Sequence, residues 1–329
     1  MIESILDYIV CPICMVDLEL STERRVDEEI MEGKLICSQC GHAYRIQGGV
    51  PILAPRGTKP YDWFARELTT ALERFEPKEA IRRISDGEIG PKRLDSRDSV
   101  LTIEELKEGE YKDSEEFLKD RFGGVENARI HFKEQHNVYR KVYDMMTKMA
   151  RLDKADLMLD VGTGYGYMLQ FLAEQFRSAE ILAIDISYNN LKAVRGRFRI
   201  FGIDGSVHLI AADAHQPPFR DEQFDAIVSW GGQGNIVKFC EALFQTRRIL
   251  RKNAWFVTDI VGPEKADPDT QKLIEAVGPV FFESNLRKLG LLSTKQEVME
   301  SMRECGFQDI TSKQVDSTKL ISGRRMDQP

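Results

Sequence analysis

The chain has no apolar run that reaches the roughly 18 residues of a membrane-spanning helix. Its first residues, MIESILDYIVCPIC, lack the basic segment and long apolar stretch of a secretory signal, so we expect a cytoplasmic protein without a membrane span. Positive charge is not in excess, because the net charge is −7. Proteins that hold nucleic acid through its phosphates carry a basic face, and the acidic total therefore disfavours a large RNA or DNA substrate.

What is present is the composition of an ordinary globular protein, with 42% hydrophobic and 30% charged residues in a chain of 329. That length suffices for one large domain and a small one. We expect a small domain at residues 1–55, a charged linker or cap at 56–130, and the large domain at 131–329. The middle segment predicts helices at Trp63–Phe75 and Ile103–Phe122.

Residues 131–329 alternate short apolar runs with amphipathic stretches, which predicts a doubly wound α/β domain with a mostly parallel sheet. The predicted strands are Leu157–Val161, Ile181–Asp185, Val207–Ala211, Phe224–Ser229 and Trp255–Val261. The predicted helices are Tyr167–Phe176, Ser187–Phe201, Ile236–Leu250, Thr270–Lys288 and Thr294–Cys305, the last ending at Gly306. A closing strand pair is predicted at Phe307–Lys313 and Thr318–Ile321.

A glycine loop, residues 160–166, follows the first predicted strand and opens a helix. Glycine permits positive φ and close approach of a ligand, and the free N–H groups of the helix point at whatever lies over the loop. These features indicate a nucleotide-like ligand. The G-x-G-x-G spacing of Gly162, Gly164 and Gly166 differs from the G-x-G-x-x-G of dinucleotide enzymes.

Acidic residues end the first two predicted strands, and a third follows the next strand. Asp160 would repel a pyrophosphate but suits the ammonium group of a methionine moiety. Asp185 lies about 20 residues further on, where a carboxylate can accept both hydroxyls of a ribose. Together with Asp213, these carboxylates disfavour the alternative interpretation, a glycine turn in an unrelated α/β protein.

Several stretches follow one another in the order seen in class I S-adenosylmethionine-dependent methyltransferases: VYDMMTKMA, LMLDVGTGYG, ILAIDIS, AADAHQPPFRDEQFDAIVSW, FQTRRILRKNAWFVTDIV and EVMESMRECGFQDI. Residues from about 131 to 315 resemble the members of this family that act in quinone biosynthesis and on other small molecules. The resemblance implies a Rossmann-like sheet of seven strands, enzymatic methyl transfer and S-adenosylmethionine as cofactor. Lys252-Asn253-Ala254 replaces the family's proline-glycine turn, and because asparagine tolerates the left-handed conformation we expect the turn to survive.

The resemblance also implies roles for single positions in cofactor binding. They are, for the methionine part, Asp160, Gly162, Thr163 and Gly164; for the ribose, Asp185; for the adenine, Ile186, Asp213 and Ala214; and for the reactive end, Ser229, Trp230 and Gly231. Two tyrosines on a helix ahead of the first strand, Tyr139 and Tyr143, either cover the site or pack against a helix face.

Four of the six cysteines form two C-x₂-C pairs, Cys11/Cys14 and Cys37/Cys40. Two such turns can present four thiolates to a tetrahedral zinc ion. A redox function would need only one pair, and disulfides are disfavoured in a chain without a secretion signal. Because four thiolates leave no open coordination position, we expect a structural zinc, without His42 as a ligand.

The stretch CSQCGHAYRIQGGVPIL resembles the small zinc-ribbon proteins that activate tRNA and release-factor methyltransferases. In those proteins a strand follows the last cysteine pair and ends near a G-x-P turn, which Gly48, Gly49, Val50 and Pro51 match. We therefore expect residues 1–55 to form a zinc ribbon.

The methyl acceptor is less well specified, because a sulfonium is already a strong methyl donor and a catalytic base is optional. The N-P-P-Y motif of enzymes that methylate amino groups in nucleic acids is absent, and Ser229–Asn235 stands in its place. His215 could serve as a base, although a surface role is favoured, and Cys240 is expected in the core. No catalytic residue is assigned.

Three functional hypotheses follow. The acidic charge favours a methyltransferase for a small-molecule or lipid-precursor acceptor. The alternative is an RNA or protein methyltransferase in which the ribbon recognises the macromolecule. A non-catalytic protein that binds the cofactor or a partner is disfavoured by the three carboxylates. The sequence carries no signal for the oligomeric state.

Overall fold

The computed structural model describes residues 1–53, 68, 71–89, 118–119, 122–203, 207–231, 236, 239–260, 268–288 and 294–326. A small antiparallel sheet contains the strands β1 (Leu18–Val26), β2 (Glu29–Cys37), β3 (Ala43–Gln47) and β4 (Val50–Pro51). A larger sheet contains β5 (Leu157–Val161), β6 (Glu180–Asp185), β7 (Val207–Ala211), β8 (Phe224–Ser229), β9 (Leu250–Ile260), β10 (Phe307–Val315) and β11 (Thr318–Arg325).

The described helices flank the larger sheet and fill the connections of the chain. They are α1 (Pro77–Ser85), α2 (Val125–Ala150), α3 (Tyr167–Gln175), α4 (Tyr188–Phe201), α5 (Phe239–Ile249), α6 (Pro268–Val277), α7 (Pro279–Lys288) and α8 (Lys295–Glu304). Each helix within the described ranges is too short or too polar to span a bilayer.

The strands of the larger sheet follow the order β10-β11-β9-β8-β5-β6-β7. Adjacent strands are parallel from β9 through β8, β5 and β6 to β7, whereas β11 is antiparallel to both β9 and β10. This arrangement confirms the expected seven-stranded Rossmann-like fold. The order reverses at β5, which has β6 on one side and β8 on the other, and ligands of such sheets bind at the carboxyl ends of strands at this switch point.

Local sequence signals account for several element boundaries. The Ser187 side chain accepts a hydrogen bond from Asn190 N and caps α4, and Thr294 forms a capping box with Glu297 at the start of α8. Asn253 adopts φ 65°, so the turn without proline and glycine is left-handed as expected. Gly306 has φ 86°, which confirms it as the residue that follows the last helix.

Three predicted elements need correction. The helix expected at Thr270–Lys288 is two helices, α6 and α7, which break at Gly278 because Pro279 lacks an N–H and disfavours helical geometry in the residue before it. The helix expected at Ile236–Leu250 ends at Ile249. The fifth strand starts at Leu250 rather than Trp255, since the chain enters the sheet before the Asn253 turn.

The middle segment is described only in part. Helix α1 was not expected there, and most of the helices predicted at Trp63–Phe75 and Ile103–Phe122 lies outside the described residues, as does Val261 at the end of the fifth predicted strand. Helix α2 begins at Val125 and crosses the expected boundary between residues 130 and 131.

The small sheet packs directly on the edge of the large one. Ile52 forms a parallel bridge with Ala211 at the end of β7, and Leu53 N donates to Ala211 O at 2.7 Å. An antiparallel bridge joins Ile9 to Phe219. Buried apolar side chains of both sheets, such as Leu35 and Leu182, belong to one continuous cluster. The two sheets therefore share a hydrophobic core.

Candidate functional site

The glycine loop lies at the carboxyl end of β5 and passes directly into α3. Gly162, Gly164 and Gly166 all have positive φ, at 71°, 52° and 75°. The N–H groups of Gly162 and Thr163 donate to Ile184 O at 2.9 and 3.1 Å, which ties the loop to β6. A side chain at Gly164 would meet no atom within 4 Å, whereas one at Gly166 would lie 3.0 Å from a Val194 methyl group. The backbone at Gly164 is thus open to a ligand, while Gly166 serves helix packing.

Asp160 is 1% exposed at the end of β5. Its Oδ2 accepts from Thr163 Oγ1 at 2.5 Å, while its Oδ1 has no hydrogen-bond partner among the described residues. Burial raises the pKa of Asp160 to about 7, and the charge of Asp185 adds to the rise. A buried carboxylate oxygen without a donor is costly unless a ligand supplies one.

Asp185 is equally buried at the end of β6. Its Oδ2 accepts from Gly164 N at 2.8 Å, and its Oδ1 accepts from Ser187 N at 2.8 Å and Asn190 Nδ2 at 3.2 Å. Burial raises the pKa of Asp185 to about 6, although these hydrogen bonds favour the charged form. A carboxylate can accept about four hydrogen bonds, so about one position remains, on Oδ2. Ile186 follows and is half-buried.

Asp213 lies in the turn after β7. Its Oδ1 accepts from both the backbone N and Nδ1 of His215, each at 2.9 Å. Burial opposes ionisation of Asp213, but the hydrogen bonds from His215 outweigh it and lower the pKa. His215 therefore orients Asp213, and Ala214 is half-buried between them. Gln216 Nε2 donates to Pro12 O at 2.8 Å and links this turn to the first cysteine pair.

Ser229, Trp230 and Gly231 lie at the carboxyl end of β8, beside the glycine loop. Ser229 Oγ donates to Val161 O at 2.9 Å, and Gly231 N donates to Asp259 Oδ1 at 2.7 Å. Gly232–Asn235, which completes the expected loop, lies outside the described residues. Asp259 was not singled out in the sequence, although its position near the end of a strand matches that of Asp160 and Asp185.

Helix α2 packs over this end of the sheet. The ring of Trp230 lies 5.1 Å from that of Tyr139 and 5.5 Å from that of Tyr143. Tyr143 is fully buried and its hydroxyl has no hydrogen-bond partner among the described residues. Both tyrosines therefore face Trp230, and both pack within a cluster of aromatic rings.

Arg197 of α4 is a buried cation that sequence analysis missed. Its Nη1 donates to Tyr165 O of the glycine loop at 3.2 Å and its Nε donates to Gln170 Oε1 at 2.6 Å. The helical spacing of Ala193, Val194 and Arg197 places it on the buried face of α4, which was the available signal.

The four cysteines form a compact cluster. The Sγ atoms of Cys11, Cys14, Cys37 and Cys40 all lie within 4.8 Å of one another, and those of Cys11 and Cys40 are 3.9 Å apart. Tetrahedral zinc with bonds of about 2.3 Å requires sulfur separations of about 3.8 Å, so the cluster fits this ion. Cys40 N donates to Cys37 Sγ at 3.5 Å.

Backbone hydrogen bonds and two aromatic rings surround the cysteine cluster. Burial opposes ionisation of Cys37, but hydrogen bonds from the backbone of Cys40 and Gln39 lower its pKa to about 7, which favours a thiolate ligand. The hydroxyl of Tyr44 lies 3.3 Å from Cys11 Sγ. The ring of His42 packs on Tyr44 at 4.4 Å, and His42 is not part of the cysteine cluster.

Comparisons with known proteins match both parts of the chain. Residues 158–253 match the family described as methyltransferase domain, and residues 3–49 match the family described as Trm112p-like protein. Both resemblances found in the sequence are thereby confirmed.

Individual relatives match over shorter shares. A probable fatty acid methyltransferase of Pseudomonas putida is 33% identical over 107 residues, which are 31% of this chain and 27% of that protein. A ubiquinone/menaquinone biosynthesis C-methyltransferase of Azotobacter vinelandii is 32% identical over 105 residues, which are 32% of this chain and 42% of that protein. The chain thus spans less than half the length of these relatives. Among solved structures, phosphoethanolamine N-methyltransferase 2 of Haemonchus contortus, in complex with S-adenosyl-L-methionine, has a TM-score of 0.46 at 12% identity and covers 66% of this chain and 61% of that one.

Proposed function

We propose that the chain is an S-adenosylmethionine-dependent methyltransferase that transfers a methyl group to a small-molecule or lipid-precursor acceptor by direct in-line displacement. The observation that carries the proposal is the buried, unpartnered Oδ1 of Asp160 beneath the glycine loop at the switch point of the sheet. An ammonium group is the natural partner of this oxygen, and the cofactor's methionine part carries one. The match of residues 158–253 to a methyltransferase domain supports the same cofactor.

The cofactor would lie along the carboxyl ends of β5, β6 and β7, with β8 at its reactive end. In this proposal the residues at the methionine part are Asp160, Gly162, Thr163 and Gly164; at the ribose, Asp185; at the adenine, Ile186, Asp213 and Ala214; and at the reactive end, Ser229, Trp230 and Gly231. Asp185 would accept a hydrogen bond from one ribose hydroxyl directly. To accept from both hydroxyls, its Oδ2 would have to lose the hydrogen bond from Gly164 N.

Bound S-adenosylmethionine supplies an electrophilic methyl group on its sulfonium. The protein's own contribution is to hold the acceptor atom in line with that methyl group and to exclude water. Asp259 fixes the amide of Gly231, and Tyr139 and Tyr143 cover Trp230, so these groups shape the reactive end. We assign no catalytic base, because direct displacement from a sulfonium does not require one.

A small-molecule acceptor is supported by the names of the relatives, a fatty acid methyltransferase and a quinone C-methyltransferase. The Trm112p-like match favours the second candidate, an RNA or protein methyltransferase whose ribbon recognises the macromolecule. The contacts of the ribbon weigh against it, because Ile52 pairs with Ala211 and Pro12 O accepts from Gln216 of the same chain.

We further propose that the four cysteines hold a structural zinc, with residues 1–55 as the zinc ribbon, 56–130 as a helical linker or cap and 131–329 as the methyltransferase domain. Four thiolates form a closed shell, which leaves no coordination position for chemistry. Metal analysis of the purified protein is expected to give one zinc per chain, and its loss in a Cys37→Ser variant tests the ligand set.

A methyl-transfer assay with labelled cofactor and fractionated cell extract tests the function. We expect label in the small-molecule and lipid fractions, and an Asp160→Asn variant is expected to lose that transfer. Label confined to RNA or protein would support the second candidate instead. A protein that neither binds the cofactor in calorimetry nor transfers label would contradict the methyltransferase proposal.

A further inference from the structure

Three buried polar atoms around the glycine loop have no hydrogen-bond partner among the described residues. They are Asp160 Oδ1, the hydroxyl of Tyr143 and Nη2 of Arg197. Each of these side chains is at most 1% exposed. Buried polar atoms are almost always paired, because an unpaired one has lost its hydrogen bonds to water without replacement. Three such atoms around one loop therefore point to a ligand that supplies their partners.

Tyr143 contributes a hydrogen-bond donor to this set. Its ring packs against Phe171 of α3 and Trp230 after β8, at 5.5 Å from each, so its position is fixed between the glycine loop's helix and the reactive end. Burial raises the pKa of Tyr143, and the charge of Asp160 contributes to the rise. The phenol therefore stays protonated at neutral pH and can donate a hydrogen bond to an anionic group.

Arg197 contributes a positive charge that no carboxylate neutralises by direct contact among the described residues. Its guanidinium lies 4.2 Å from the ring centroid of Phe132 and 4.4 Å from that of Tyr167, on α2 and α3. Two of its nitrogens donate hydrogen bonds to uncharged oxygens, namely Gln170 Oε1 and the backbone carbonyl of Tyr165. Burial lowers the pKa of Arg197 to about 10, so it remains a cation at neutral pH. A buried, unneutralised cation favours an anionic ligand group nearby.

The chemistry of the three atoms is complementary to a zwitterionic amino acid. Asp160 offers an acceptor for an ammonium group, and Tyr143 with Arg197 offers a donor and a positive charge for a carboxylate. We propose that the hydroxyl of Tyr143 binds the carboxylate of the cofactor's methionine part, with Arg197 as its compensating charge, while Asp160 binds the ammonium group. This inference rests on the proposed function and assigns two residues, from α2 and α4, that lie outside the glycine-loop motif.

Calorimetric titration with two ligands tests the assignment, namely S-adenosylmethionine and decarboxylated S-adenosylmethionine, which lacks only the carboxylate. A hydrogen bond to a charged group is worth about ten- to hundredfold in affinity. Tyr143→Phe is therefore expected to weaken binding of S-adenosylmethionine by that factor and to leave binding of the decarboxylated ligand unchanged. Because the variant removes an unpaired buried hydroxyl, its unfolding temperature should equal or exceed that of the parent.

Two further variants sharpen the test. Tyr8→Phe removes a hydroxyl from the N-terminal segment, where the ring lies 6.0 Å from that of His208, and should leave the discrimination between the two ligands unchanged. Arg197→Met keeps a similar side-chain volume without the charge, and it should weaken S-adenosylmethionine selectively, as Tyr143→Phe does.

Failure of the inference and failure of the proposed function give different results. If the parent protein binds S-adenosylmethionine and Tyr143→Phe weakens both ligands equally or neither, the carboxylate assignment is wrong while the cofactor stands. If the parent protein binds neither ligand, the premise of the assignment falls with the proposed function.

Discussion

Asp160 and Asp185 are two carboxyl groups held where burial disfavours their charge. Burial raises the pKa of Asp160 to about 7 and that of Asp185 to about 6. The ammonium group of the proposed cofactor interacts best with the ionised form, so binding should release protons from the protein. We expect affinity for S-adenosylmethionine to fall by up to about tenfold per pH unit as pH decreases from 7.5 to 5.5.

Calorimetry in two buffers of different ionisation enthalpy measures this proton release directly. Asp160→Asn should bind the cofactor more weakly at pH 7.5 and lose the part of the pH dependence that lies near pH 7. An affinity that stays constant over this range in the parent protein would contradict the role given to these carboxyl groups.

The same raised pKa predicts how stability depends on pH in the absence of cofactor. Because the pKa of Asp160 is higher in the folded than in the unfolded chain, the folded state binds more protons between about pH 4 and 7. The stability that protonated Asp160 contributes to the fold is complete below pH 4 and is lost as pH rises through 7. At pH 8, Asp160→Asn should therefore unfold at a higher temperature than the parent, with a free energy of unfolding that is larger by on the order of 2–4 kcal/mol. This difference in free energy should shrink at pH 5. Thermal unfolding at the two pH values measures it.

The residues of the candidate site differ in how far the sequence could identify them. Asp160, Asp185 and Asp213 follow apolar strands, and a strand pattern gives their location directly. Asp259 follows the same rule near the end of β9 and could have been found. Tyr143 was named only through the family resemblance, with packing on a helix face left open as the alternative. Arg197 was missed, because its contact with the glycine loop depends on side-chain packing between helices that no local spacing encodes.

At the scale of the element, two positions of one loop require glycine for different physical reasons. Gly164 has φ 52° with open space around it, so Gly164→Ala should cost only about 1 kcal/mol of stability but hinder approach of the cofactor. Gly166 has φ 75° and packs against Val194, so Gly166→Ala should cost more stability than Gly164→Ala. Unfolding temperature and calorimetry of the two variants separate these effects. Equal losses of stability in both would show that the packing against Val194 does not matter.

The element boundaries show where local rules suffice. Strands β5, β7 and β8 have their predicted bounds because each is an apolar run bounded by turn residues. The closing strands β10 and β11 begin where predicted but extend further, to Val315 and Arg325. The single helix expected over Thr270–Lys288 was wrong, although Gly278-Pro279 carries the signal for a break. Hydrophobic periodicity continued across the two helices and concealed it.

On the scale of the whole molecule, the ribbon and the large sheet form one structural unit. Glu29 on β2 accepts hydrogen bonds from both terminal nitrogens of Arg195 on α4, and the Tyr188 hydroxyl donates to Gln47 O at 3.2 Å. Burial opposes ionisation of Glu29, but its partnership with Arg195 lowers the pKa to about 2. No sequence pattern indicates these contacts, since they join residues more than 140 positions apart.

Removal of the proposed zinc should therefore affect the proposed cofactor site as well as the ribbon. The first cysteine pair holds Pro12, whose carbonyl accepts from Gln216 in the turn that carries Asp213, and the ribbon covers the edge of β7. A chelator, or Cys37→Ser, is expected to lower the unfolding temperature in a single transition. It is also expected to weaken S-adenosylmethionine binding, because the turn proposed to bind the adenine loses a fixed neighbour. Cys240→Ser removes a cysteine outside the cluster and should leave both quantities unchanged.

Calorimetry and thermal unfolding before and after chelation, with zinc added back, measure this coupling. Restored affinity on return of the metal would assign the effect to the ribbon rather than to irreversible damage. If the metal-free protein instead kept full affinity and melted in two separate transitions, the ribbon and the sheet would be independent units. The contacts at Ala211 and Gln216 would then add nothing to the cofactor site. The shared hydrophobic core argues for the first outcome, since exposure of Leu35 and its neighbours in a disordered ribbon also uncovers the apolar side chains beneath them.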